Sequence, residues 1–119
     1  MQCQTEILQK NIMLETLKKL LGIEPKADIA ELLKNGATIL DVRTKGEFTT
    51  GHIRGSINIP VEKLAGNINK LKGKNNPIIT CCASGSRSAS AKGILTTHGF
   101  TNVHNGGSWL SLRRKFDLY

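Results

Sequence analysis

At 119 residues the chain is long enough for one domain with its own hydrophobic core, and a 39% share of hydrophobic residues excludes a disordered or low-complexity polymer. No apolar run approaches the roughly 20 residues of a membrane span, and Met1-Gln2-Cys3-Gln4-Thr5-Glu6 has no basic stretch leading into an apolar one, so the sequence predicts a cytoplasmic protein without a signal peptide. The net charge of +8 is unevenly placed: residues 1–62 balance eight acids against eight bases, whereas residues 63–116 hold nine bases (Lys63, Lys70, Lys72, Lys74, Arg87, Lys92, Arg113, Arg114, Lys115) and no acid.

Such a half either attracts small anions or an acidic partner protein, or is a solvated basic face. Nucleic-acid binding is not expected, because aromatics make up only 4% and no groove-reading motif is present. In chain order, Leu14, Leu17, Leu20 and Leu21 predict an amphipathic helix over 13–21, stopped by Gly22 and Pro25. The chain therefore divides into an N-terminal helical extension, 1–22, and a domain, 23–119. Asp28-Ile29-Ala30-Glu31 has capping-box form and opens a helix through Lys34, closed by Asn35-Gly36. Thr38–Val42 is a short apolar run of the kind buried on both faces of a sheet. Residues 46–50 fit one helical turn, and Gly55–Pro60 a second short strand. Val61, Leu64, Ile68 and Leu71 predict a helix, and 72–77 a polar loop. Pro77–Cys81 is a third strand, followed by a small-residue loop, a helix over 88–98 and the stop residue Gly99. Phe100–His104 is a fourth strand, Asn105-Gly106-Gly107 a turn, and 108–116 a last helix. Strands alternating with helices predict an α/β fold with a parallel sheet covered on both faces.

The three cysteines, Cys3, Cys81 and Cys82, are a poor disulfide framework, since the count is odd and adjacent cysteines bridge only under strain. No four-cysteine zinc pattern exists, which leaves inert buried thiols or a reactive one. The strand at 77–81 delivers Cys82 to the carboxyl end of the sheet, where ligands bind in open α/β folds. Ala83, Ser84, Gly85 and Ser86 are small enough for the backbone to curl and turn its N–H groups inward as an anion-binding nest. The helix that follows adds its positive end. This setting favours the thiolate, which is the nucleophilic form. Arg87 closes the loop with a fork of donors suited to oxyanions. Arginine is unfavourable beside a positive helix end, so its presence predicts that an anion sits between them. Ser84, Ser86 and Ser88 either donate to a sulfur anion or cap the helix.

These residues resemble the rhodanese superfamily in two segments. The first runs from Leu40 to Pro60 and holds Asp41-x-Arg43, Glu47-Phe48 and Gly51-His52-Ile53-x-Gly55-Ser56-x-Asn58-Ile59-Pro60. The second is Cys82-x-x-Gly85-x-Arg87-Ser88, followed by Gly99-Phe100-Thr101-Asn102-Val103 and Gly106-Gly107. The likeness covers roughly residues 27 to 116. It implies a three-layer α/β sandwich around a mainly parallel five-stranded sheet, and transfer of sulfane sulfur through a persulfide on Cys82. The amides of Ala83, Ser84, Gly85, Ser86 and Arg87 would cradle the sulfur. Arg87 would steer an anionic donor such as thiosulfate, and a cellular thiol or cyanide would accept the sulfur. No metal or organic cofactor is implied. Asp41 is expected to hold Arg43 or loop amides, Glu47 to tether a turn, and His52 to be structural, with Gly51 and Gly55 as turn residues.

Two features depart from the pattern. Residues 1–22 lie outside it, and Cys81 stands where an aromatic or aliphatic residue is common. Counting from Cys81 instead, Cys81-x5-Arg87 has the spacing of tyrosine phosphatases and arsenate-type reductases, whose longer loop accommodates a tetrahedral anion. There is no His before Cys81, and no acidic residue follows except Asp117. A third alternative is a non-enzymatic binding module on the same fold.

Overall fold

The computed structural model describes residues 28–119. The expected helix over 13–21, the boundary near residue 22 and Cys3 lie outside the described residues. Helix α1 (Ile29–Lys34) begins at Asp28, whose carboxylate accepts the Glu31 N–H at 3.3 Å. It ends at Asn35 and Gly36, and Gly36 turns with φ +83°. Strand β1 (Thr38–Asp41) follows, then α2 (Lys45–Thr50), β2 (Ile57–Asn58), β3 (Ile78–Cys82), α3 (Ser86–Thr97), β4 (Val103–Ser108) and α4 (Trp109–Phe116).

The sheet has four strands among the described residues, in the order β2-β1-β3-β4, and every pairing is parallel. The fifth strand that the family resemblance implies is not among them. Between residues 28 and 119 the chain pattern supplies only four extended runs, and the remaining segments are helices, tight turns and loops.

Alternation along β1 and β3 divides the core in two. Leu40, Ile78 and Cys82 face one side, with Leu64, Leu71, Ala91, Leu95 and Phe100. Ile39, Ile79 and Cys81 face the other, with Ile53 and Leu112, and with Leu32, Trp109 and Phe116 packed against them. Helix α3 covers the first face with Ser88, Ala91 and Leu95, spaced three and four apart, and α4 covers the second with Trp109, Leu112 and Phe116. Complete burial of one such leucine stabilises the fold by about 1.5–3 kcal/mol. Among the described residues no helix is long and apolar enough to cross a membrane.

Three segments depart from the sequence expectation. Residues 61–71 form two separate 3-10 turns, Val61–Lys63 and Ile68–Lys70, rather than one helix. Gly66 and Asn67 interrupt them, and the Asn67 side-chain amide donates back to the Lys63 carbonyl at 2.7 Å, while Leu64 and Leu71 still reach the core. Helix α3 starts at Ser86, two residues before the expected start at 88. The strand expected at 100–104 is Val103–Ser108, so the expected turn Asn105-Gly106-Gly107 lies inside β4. The register against β3 shifts between Thr80 and Cys82, which pairs with Ser108, and this marks a bulge. Gly106 is required there: a Cβ would stand 2.7 Å from Ile79 Cγ2 and 2.8 Å from the Thr80 carbonyl oxygen.

Candidate active site

Strand β3 ends on Cys82, and the chain then crosses Ala83, Ser84 and Gly85 into α3. Gly85 is the N-cap with φ +106°, a conformation that favours glycine, and it has no side chain with which to cap the helix. The Cys82 sulfur takes that place. Its Sγ accepts the Gly85 N–H at 2.9 Å and the Ser88 N–H at 3.4 Å. The second donor is the third residue of the helix, one of the amides that a helix start leaves without an intrahelical partner. A negative charge on this sulfur therefore meets two N–H groups and the positive end of a 12-residue helix.

Of the amides expected to form the cradle, Gly85 donates to the sulfur. Ser88, whose amide was not expected there, is the other donor. The loop residues Ala83, Ser84 and Ser86 are exposed, while Cys82 beneath them has 0% exposure. Two surface clefts of about 500 and 340 Å³ lie elsewhere, around Ile68, Leu71 and Phe100 and around Thr38, Arg54 and Lys72, and neither is lined by the loop.

Beneath the loop is a buried polar chain. The Thr80 and Ser88 hydroxyls are 2.8 Å apart, and the Ser88 hydroxyl donates to Asn105 Oδ1 at 2.5 Å. Asn105 Oδ1 also accepts the Gly107 N–H at 2.9 Å. Ser88 thus donates its amide to the sulfur and its hydroxyl to β4. It neither caps the helix nor gives its hydroxyl to the sulfur.

The first motif builds the wall beside the loop. Asp41 and Arg43 are a buried pair, with 2.7 Å between Arg43 Nη2 and Asp41 Oδ2. Arg43 also donates to the Gly51 carbonyl at 2.7 Å and lies 4.3 Å over the Trp109 ring. Gly51 lets the Trp109 ring pack close, since a Cβ would come 3.0 Å from Trp109 Cη2 and the ring would have to shift. Asn58 donates to the carbonyls of Asp41 and Arg43, tying β2 to the end of β1. His52 is exposed, stacks 3.7 Å from the Phe48 ring, and meets the Phe48 carbonyl at 2.7 Å through Nδ1.

Glu47 closes a reciprocal capping box with Thr44, which fixes the start of α2. Its carboxylate also reaches Arg87, Oε1 to Nη1 at 2.7 Å and Oε2 to Nη2 at 3.0 Å. The hydrogen bond from Arg87, aided by the Thr44 amide, holds the Glu47 carboxyl down to about 2 from its ordinary 4.5. Arg87 is held above its ordinary value chiefly by the same bond, with further help from Glu47, Cys82 and Glu62 as negative charges. Within the chain, Arg87 is therefore met by the Glu47 carboxylate. The loop is flanked by two acids of the N-terminal half as well as by the acid-free C-terminal half.

Cys81 faces the opposite core from Cys82 and is fully buried. Burial, followed by the negative charge of Asp41, pushes its thiol up to about 12. The sequence carried one signal of the polar chain, a threonine at position 80 within an otherwise apolar strand. Nothing in it paired Glu47 with Arg87 across 40 residues.

A profile of the rhodanese-like domain matches residues 25–109. The thiosulfate sulfurtransferase PspE of Escherichia coli is 35% identical over 69 residues, covering 57% of this chain and 66% of that protein. The uncharacterized protein YibN of E. coli is 39% identical over 72 residues, 59% of this chain and 50% of its own length. The chain thus spans between half and two thirds of these curated relatives. A solved structure described as a rhodanese with anions from E. coli superposes with a TM-score of 0.60 at 32% identity, over 63% of this chain and 89% of the other. With that profile across most of the described sheet, a relative named for sulfur transfer and the same fold in a solved rhodanese, the chain belongs to the rhodanese-like domain family.

Proposed function

We propose that this protein is a sulfurtransferase that carries sulfane sulfur as a persulfide on Cys82, taking it from an anionic donor such as thiosulfate and passing it to a thiol or cyanide. The observation that carries this reading is the position of Cys82 Sγ, which accepts the Gly85 and Ser88 amides at the start of α3. Fixed N–H groups need no reorganisation when charge develops, so a cradle of this kind stabilises a Cys–S–S⁻ anion. In the forward step the Cys82 thiolate attacks the outer sulfur of thiosulfate. The new S–S bond forms as the old one breaks, and sulfite leaves with the electron pair. The second step reverses this geometry, with the acceptor attacking the outer sulfur and Cys82 leaving as thiolate. Relatives named as thiosulfate sulfurtransferases support the assignment. The basic residues of 63–116 suit an acidic protein as the physiological acceptor.

The count that begins at Cys81 gains no support, because that thiol faces the other core and is pushed up to about 12. The test is to incubate the protein with thiosulfate and look by mass spectrometry for one added sulfur. The adduct and thiosulfate–cyanide turnover should persist in Cys81→Ser and vanish in Cys82→Ser. Survival of both in Cys82→Ser rules the assignment out.

A further inference from the structure

Arg87 is the one cation on the loop suited to receive the oxyanion head of a donor, yet the Nη1–Nη2 end of its fork is already taken. Both terminal nitrogens bond the two Glu47 oxygens, at 2.7 and 3.0 Å. The pair is partly exposed, with side-chain exposures of 34% for Arg87 and 37% for Glu47, whereas Cys82 is fully buried, so the Arg87 head is reachable from solvent where the sulfur is not. A dianionic donor gains the Nη1–Nη2 end of this fork only by displacing the carboxylate, and on the guanidinium donors that Glu47 leaves it still lies beside the Glu47 negative charge. Glu47 is held in place independently by its capping box with Thr44, so it has no freedom to swing clear without fraying the start of α2. A donor without an oxyanion head incurs neither cost.

We propose that Glu47 is a specificity-determining residue: by occupying Arg87 it biases the site against thiosulfate-type oxyanion donors and towards organic persulfides, R–S–SH. This inference rests on the sulfur-transfer reading of Cys82. With a persulfide, the Cys82 thiolate attacks the outer sulfur and a Cys82–S–SH bond forms. The donor S–S bond breaks and R–S⁻ leaves with the electron pair, to be protonated by solvent. No oxidant or reductant is consumed. The head group that stays behind is a single thiolate sulfur, which does not need a planar fork of donors.

The discriminating variant is Glu47→Gln, which removes the charge and keeps a side chain competent in the capping box. The rate of Cys82 persulfide formation is followed by mass spectrometry against donor concentration, with thiosulfate and with 2-hydroxyethyl persulfide, which carries no oxyanion. Glu47→Gln should improve kcat/KM for thiosulfate about three- to fivefold through KM, the upper part of what releasing one surface ion pair supplies. The persulfide reaction should change less than about twofold, within the scatter of a site that has lost no contact to that donor. Thr44→Ala, which loosens the same helix start but leaves the charge, should keep the parent's donor ratio. If Glu47→Gln does not fold, Glu47→Asp withdraws the carboxylate by one methylene and should shift the ratio in the same direction by less. An unchanged thiosulfate KM, an equal gain with both donors, or the same shift in Thr44→Ala overturns the proposal. Absence of any Cys82 adduct with either donor in the parent protein instead overturns the sulfur-transfer reading itself.

Discussion

Thr80 and Ser88 share a 2.8 Å contact between hydroxyls that have no exposed surface, directly under the sulfur-bearing loop. Thr80 lies on the strand that delivers Cys82, and Ser88 on the helix that caps it. Their contact therefore fixes how far the helix start stands from the sulfur. Because the Ser88 amide donates to Cys82 Sγ at 3.4 Å, a small drift of α3 would remove one of the two donors.

Replacing Ser88 by alanine should therefore affect both stability and chemistry. Asn105 Oδ1 would keep only the Gly107 amide, and the Thr80 hydroxyl only carbonyl acceptors. Loss of one buried hydrogen-bonded hydroxyl costs about 1–2 kcal/mol, readable from urea unfolding. The rate of sulfur loading on Cys82 should fall while the pairing of Glu47 with Arg87 is untouched. A destabilised Ser88→Ala protein that loads sulfur at the parent rate would show that this chain supports the fold without positioning the sulfur.

The Asp41–Arg43 pair makes a larger prediction. Both residues are nearly inaccessible, at 0% and 3%. Asp41→Ala leaves the guanidinium with the Glu47 and Gly51 carbonyls and the Trp109 ring but with no counter-charge. Breaking one partner of a buried ion pair costs about 3–5 kcal/mol, which is a large share of a small domain's stability. The unfolding midpoint of Asp41→Ala should drop sharply. A change under about 1 kcal/mol would mean that the remaining partners suffice for Arg43.

The Glu47–Arg87 pair sets an acid limit. The folded Glu47 carboxyl is depressed to about 2 from 4.5, so its contribution is present above pH 4.5 and is lost as pH falls from there through about 2. The Glu47 side chain is more than a third exposed, and the contribution is correspondingly small. Urea midpoints measured down this window should fall more steeply in the parent than in Glu47→Gln, which has no proton to take up. Parallel curves would show that the ion pair is not a stabilising contact.

How much of this was legible in the sequence depended on what each segment packs against. Thr38–Val42 and Pro77–Cys81 read as strands because both faces of the sheet are covered and the apolar run is nearly continuous. Residues 61–71 misled because Leu64 and Leu71 are core residues at helical spacing, yet Gly66 and Asn67 between them break the helix. The end of β4 was hidden for the opposite reason. Asn105-Gly106-Gly107 has the composition of a turn, but Gly106 serves a close approach to Ile79 and Thr80 within a bulged edge strand. In the site, Cys82, Gly85 and Arg87 announce themselves as a local motif. The carboxylate that meets Arg87, the hydroxyl chain under Ser88 and the ring over Arg43 are contacts between distant segments, and only the fold brings them together.

Cys81 supplies the last prediction, at the alkaline end. Burial and the adjacent Asp41 charge keep its thiol protonated in the fold up to about 12, against 9.0 when exposed. Its contribution to stability is therefore complete below pH 9.0 and is lost as pH rises from there towards about 12, because the unfolded chain ionises where the folded one does not. Cys81→Ala removes this titration while adding a constant cavity cost. Urea midpoints of the parent should fall faster than those of Cys81→Ala across the lower part of that window, and the two slopes should match below it. Equal slopes throughout would show that the thiol ionises without penalty inside the core. Unequal slopes explain chemically why two adjacent cysteines need not compete for sulfur: one is held neutral against the Ile39–Leu112 core, and the other is offered to the amides at the start of α3.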